Sequence, residues 1–222
     1  MKPSLIVLWL GLLAGCALSA PAFSAGVQAE IRDESGAPVA DAIVIAVPQK
    51  TAPLRERAGP LTGKVEQIGE EFVPRVSAVL VGSAVSFPNR DPVRHHVYSF
   101  SPAKRFELPL YAGTPAAPVV FDKPGVVILG CNIHDWMIGY VYVSESPYFA
   151  KTGPNGRAAL ARLPAGHYTV RVWHPQLALD ESQTRREIEL AAGQEAPLGW
   201  RVPLKPYRPV RRAPDLLHGS QY

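Results

Sequence analysis

Val126-Val127-Ile128-Leu129-Gly130-Cys131-Asn132-Ile133-His134-Asp135-Trp136-Met137-Ile138-Gly139-Tyr140-Val141-Tyr142-Val143 is a pair of strand-like runs joined by a short loop that carries metal donors. Lys123-Pro124-Gly125 is a turn that feeds the first run, and Gly139 to Val143 is β-branched and aromatic, the composition of a second strand. A thiolate at Cys131, an imidazole at His134 and a thioether at Met137 can all reach one ion. Soft sulfur mixed with nitrogen suits copper far better than magnesium or calcium. A type-1 copper site needs two histidines, a cysteine and a long axial methionine, so a further histidine must come from elsewhere in the chain. His95 and His96 both offer it, at the head of Val97-Tyr98-Ser99-Phe100.

The rest of the composition agrees with a strand-built protein. The 222 residues suffice for one or two modest domains, and 47% hydrophobic content can fill a proper core. Twenty-three prolines and 18 glycines argue against a helical bundle and for short strands broken by turns. A formal charge of +4 is a mild bias toward anionic partners. No basic-aromatic pattern or reader motif points to nucleic acid.

Residues 1–25 read as an export signal. Lys2 is a short positive head, and Leu5 through Leu13 form an apolar run too short for a membrane span. Two processing routes are open. Leu13-Ala14-Gly15-Cys16 resembles a lipobox, which would anchor the chain through a lipid on Cys16. Ala22-Phe23-Ser24 before Ala25 suits a soluble-type signal peptidase. Either route places the mature chain outside the cytoplasm, with a periplasmic location expected. Cys131 is then the one thiol left without a disulfide partner, and an exported unpaired cysteine invites oxidation unless something occupies it. Metal ligation is one occupant; the alternative is a buried inert thiol.

Outward from the donor loop, the chain divides into segments. Residues 26–48 alternate apolar and polar around a turn at Ser35-Gly36-Ala37-Pro38, which predicts a hairpin-like pair. Gln49 to Gly63 looks like a connecting loop. In residues 64–146, Val85, Phe87 and Asn89 share one face of a strand at period two. In residues 148–204, Tyr168, Val170 and Val172 share a face, with further short strands at Arg186–Leu190 and Leu198–Val202. Residues 205–222 combine Lys205, Arg208, Arg211 and Arg212 with prolines and read as a flexible basic tail.

Residues 64–146 resemble a cupredoxin of the plastocyanin, pseudoazurin and amicyanin kind. The resemblance rests on Phe72-x-Pro74, on Gly82-x-x-Val85-x-Phe87-x-Asn89, on Pro124-Gly125 leading to Cys131, and on Met137-x-Gly139-x-Val141-x-Val143. It implies a Greek-key sandwich holding one type-1 copper through His95, Cys131, His134 and Met137. His95 falls at the family's spacing from Asn89, with His96 as the alternative. Face parity complicates this choice, because His96, Tyr98 and Phe100 look more core-like than His95, Val97 and Ser99. The resemblance also implies a supporting role for Asn89, tying the two ligand loops by hydrogen bonds, with a simple turn residue as the other reading. Ile133, Trp136 and Ile138 would form an apolar docking patch around His134, or Trp136 merely caps the core. Asp135 departs from the family's usual proline or basic residue and would bias docking toward a positive partner.

The flanking segments resemble a carboxypeptidase-regulatory-like, transthyretin-type sandwich, through Asp33-x-x-Gly36-x-Pro38-Val39-x-Asp41-Ala42 and Leu163-Pro164-x-Gly166-x-Tyr168. Ala158 stands where that family has an aromatic. The expected fold is all-β: a cupredoxin sandwich inserted in, or packed beside, a second small sandwich. Periplasmic proteins labelled "methylamine utilization protein" look similar in the Cys131–Met137 stretch. The expected function is an electron carrier between exported redox proteins, a dehydrogenase or cytochrome among them. The alternatives are a copper chaperone, store or sensor, or an interaction module without metal. Enzymatic turnover is not expected, since one such unit lacks a second copper site and His167, His174 and His218 do not cluster.

Overall fold

The computed structural model describes residues 25–50, 62–115 and 117–207. Residues 1–24, where an export signal is expected, the centre of the expected 49–63 loop and the expected tail from residue 208 lie outside the described residues. The protein is all-β; the one helical element among the described residues is a short 3-10 turn, Glu181–Thr184. No helix there is long and apolar enough to cross a membrane.

Four main sheets stack face to face. An outer sheet orders Arg157–Leu163, Ala25–Asp33 and Glu195–Val202. A second orders Tyr148–Lys151, Ile43–Pro48, Gly166–Trp173 and Arg186–Leu190. Val27, Ala29 and Ile31 meet Ala42, Val44 and Ala46 across the core between them, together with Tyr168, Val170 and Val172. The expected hairpin of residues 26–48 is therefore not one. Its two strands enter opposite sheets, because each is apolar toward the other and burying both apolar sets across a core removes more surface from water than edge-to-edge pairing. The start of the basic tail is likewise held: the Lys205 N–H donates to the Gln176 carbonyl, and the Gln176 side-chain amide donates to the Lys205 carbonyl.

A third sheet of five strands orders Val76–Leu80, Ile138–Ser144, Gly125–Gly130, His95–Ser101 and Lys104–Tyr111. The fourth orders Val119–Phe121, Ser83–Ser86 and Thr62–Lys64. Val127, Leu129, Val141 and Val143 point inward from the five-stranded sheet onto Val85, Phe87 and Phe121. The alternate residues on the other face, Val126, Tyr140 and Tyr142, pack on Ile43, Ile45, Phe149 and Trp173. Ile43–Ala46 is consequently buried on both faces, and it reads as an unbroken apolar run for that reason. The cover is incomplete: Phe100 (75% exposed) and Ile128 lie beyond it.

This partial cover corrects the parity argument on the histidine strand. His95, Val97 and Ser99 are the buried face, while Phe100 faces solvent. Side-chain size pointed the wrong way because the sheet's outer face stays open at that corner.

A candidate metal centre at one end of the five-stranded sheet

His95 opens its strand and Cys131 follows directly on Gly125–Gly130; the two strands are neighbours, with Gly130 opposite Tyr98. Gly130 leaves room there for the end of the Tyr98 ring, which a Cβ would approach to 2.7 Å. The loop after Cys131 turns tightly, closed by the Met137 N–H donating to the His134 carbonyl at 3.0 Å, and Ile138 resumes the sheet. Adjacent strand ends thus bring together donors that are distant in sequence.

Cys131 Sγ lies 3.9 Å from His95 Nδ1 and 3.7 Å from His134 Nδ1, and the three donor atoms all fall within 4.8 Å of one another. First-row metal bonds of about 2.3 Å to sulfur and 2.0 Å to nitrogen, spread at trigonal angles, separate S and N by about 3.7 Å. The spacing would therefore suit one ion held by all three residues. His95 is fully buried and Cys131 is 4% exposed. His134 is partly exposed, so the site reaches the surface on one side. Met137 is buried in the same core cluster as Cys131. His96 turns to the opposite face, with its Nε2 3.1 Å from Glu107 and its ring edge-on to Tyr98.

Asp91, which the sequence reading passed over, orients the buried histidine. Its Oδ2 lies 2.8 Å from His95 Nε2. An ionised carboxylate only accepts, so Nε2 carries the proton and the Nδ1 lone pair faces Cys131. Burial alone would raise the Asp91 pKa, but N–H groups of Glu70 and Gly69 and the His95 ring more than offset it and hold the carboxyl below its ordinary range. Gly69 and Glu70 both adopt positive φ, which aims those two N–H groups at Asp91, at 2.6 and 2.9 Å. Such a backbone is uncommon for a residue like Glu70. The same turn sets the Glu70 carboxylate 3.9 Å from His134 Nε2, so each imidazole has an acid behind it.

Asn89 braces this loop. Its side-chain amide donates to the carbonyls of Val93 and Tyr111, and its Oδ1 accepts from the Asp91 N–H. These bonds stay within the histidine loop and its neighbouring strand, and do not tie it to the cysteine loop as expected. Beneath it the Tyr111 hydroxyl, pushed up to about 12 by burial and so protonated, donates to the Phe87 carbonyl at 2.6 Å.

Of the expected apolar patch, Ile133 is 47% exposed. Trp136 lies beside His134, with ring centroids 5.1 Å apart and planes tilted by 46°, and also packs against the core, which joins the two readings of that residue. Ile138 lies with Trp136 along a cleft toward Tyr140 rather than at the tip. Exposed Ile68 and Val93, not anticipated, flank the acids behind the histidines.

No protein-family model matches the chain, and no curated protein does. Similar solved structures include a Cu-containing nitrite reductase from Thermus scotoductus SA-01, 28% identical with a TM-score of 0.36. That match covers 39% of this chain and 23% of the reductase, so the chain spans under a quarter of that protein. A purple cupredoxin from Nitrosopumilus maritimus is 24% identical over 37% of this chain and 99% of its own length, TM-score 0.33. A reduced amicyanin variant is 22% identical over 45% of this chain and 98% of its own, TM-score 0.34.

Proposed function

We propose that the chain binds one copper ion of type-1 character through His95, Cys131 and His134, with Met137 as a fourth, weaker donor, and carries electrons between exported redox proteins. One observation carries this reading: a buried thiol whose sulfur faces two imidazole nitrogens at 3.9 and 3.7 Å. Copper in that donor set supplies a one-electron couple. The chain does the rest. Cys131 contributes the thiolate from a strand end, where the backbone cannot follow a change in charge. Asp91 fixes the His95 tautomer, and His134, whose side chain is 13% exposed, brings the site within reach of a docked partner. Exposed Ile133, next to His134 in the chain, offers an apolar contact there, and exposed Asp135 favours a partner with positive charge.

In this reading residues 64–146 are a cupredoxin unit, and 26–50 with 148–204 are a carboxypeptidase-regulatory-like sandwich packed against it. The leader in residues 1–25 supports a periplasmic location, soluble or anchored at Cys16. The partner is a periplasmic dehydrogenase or cytochrome.

Cu(II) added to the purified protein should give an intense blue or green colour that bleaches on reduction and returns on oxidation. Tight binding of Cu(I) with no stable coloured oxidised form favours copper storage or delivery by the same residues. Cys131→Ser should abolish the colour; a variant that keeps it overturns the assignment.

A further inference from the structure

A cleft of about 240 Å³ opens where the five-stranded sheet meets the segments Pro175–Gln176 and Lys205–Tyr207. Its walls include the rings of Trp136, Tyr140 and Tyr207, and its charges are Arg75 and Lys205. None of the residues lining it is acidic, and among the described residues no carboxylate forms an ion pair with Arg75 or Lys205. The Arg75 guanidinium lies 5.5 Å from the Tyr140 ring centroid and 4.6 Å from that of Tyr207, so its position is set before any ligand arrives. Gln176 and Lys205 hold each other through two hydrogen bonds, which fixes the far wall.

We propose that this cleft binds a small aromatic carboxylate. Aromatic walls select a ring, which stacks at offset or edge-on geometry. Two cations without acidic partners select an anion, and the planar guanidinium matches a carboxylate. The volume is below that of drug-sized sites, which admits one ring and a short substituent. Neighbouring His174 adds no charge: burial, then the field of Arg75, pushes its pKa down, so it is neutral at pH 7. A ring seated on Trp136 would be one aromatic contact from His134, whose ring centroid lies 5.1 Å from that of Trp136 in a tilted arrangement. The inference does not depend on metal binding, and its test uses the metal-free protein.

The probe is benzoate, titrated into the metal-free mature protein while the Trp136 indole N–H signal is followed by NMR. Saturable binding with a dissociation constant on the order of 1 mM is expected, which is what so small a ligand can supply. Benzyl alcohol, with the ring but no charge, and acetate, with the charge but no ring, should each bind at least about tenfold more weakly. Arg75→Gln and Lys205→Gln should each weaken benzoate by about threefold to tenfold. Lys205 is exposed, so its variant tests the idea even if Arg75→Gln unfolds. No saturable shift, equal binding of benzyl alcohol, or an unchanged constant in Lys205→Gln would overturn the proposal.

Discussion

Replacing Asp91 by asparagine changes one atom and isolates the carboxylate that orients His95. Asp91 accepts from three donors: Gly69 N–H on Oδ1, and Glu70 N–H with His95 Nε2 on Oδ2. An asparagine must point its NH2 at one of those positions, so a donor meets a donor either way. If the NH2 faces Gly69, one buried hydrogen bond is lost, at about 1–3 kcal/mol. If it faces His95, the imidazole must move its proton to Nδ1, and the lone pair aimed at Cys131 disappears. Loss of such an orienting partner typically weakens metal affinity by about 10–100-fold, or about 1.4–2.7 kcal/mol. Removing a negative charge near the ion also penalises Cu(II) more than Cu(I). Each tenfold loss confined to Cu(II) raises a one-electron potential by about 59 mV. Chelator competition for Cu(I) and Cu(II), with a potentiometric titration, reads all three quantities. Affinities within twofold of the parent and an unmoved potential would refute the orienting role. The metal-free protein adds a pH test. The folded Asp91 pKa lies below 3.8, so its contribution is full above that value and is lost as pH falls through the folded value. The stability gap between parent and variant should therefore close in acid; a gap that widens there contradicts the ionised assignment.

Arg171 bonds to Glu145, Glu181 and the Tyr142 hydroxyl at the junction of the two central sheets. Arg171→Met leaves two acids without their cation and should cost about 2–3 kcal/mol in urea unfolding, less than a fully buried pair because Glu145 is partly exposed. Gly139→Ala puts a Cβ 2.9 Å from the Phe72 Cβ, which cannot swing away, so a loss of about 1–3 kcal/mol is expected in the same assay. His96→Gln should leave the copper colour and affinity unchanged while His95→Gln removes them; the reverse outcome would reassign the first histidine.

How much was legible beforehand depended on whether the cause was local. Cys131, His134 and Met137 are close in sequence, and a turn between two strands brings them near each other in almost any β fold. The strand at Tyr168–Val172 announced itself because one face alone is apolar beside the adjoining core. The run Ile43–Ala46 was legible as a strand but not as a middle layer, since period two is erased when both faces are covered. Asp91 escaped notice because its role comes from two backbone N–H groups on a distant turn, which no side-chain pattern records.

The chain's own chemistry settled that the protein is built of strands and that a soft-donor loop lies between two of them, because side-chain branching, turn residues and donor type are properties of short segments. Only the tertiary structure decided which histidine faces the thiol, that Ala25–Asp33 and Ile43–Pro48 part company into different sheets, and where an aromatic, cationic cleft forms. Those outcomes depend on which surfaces bury one another, and burial is a property of the whole packed chain.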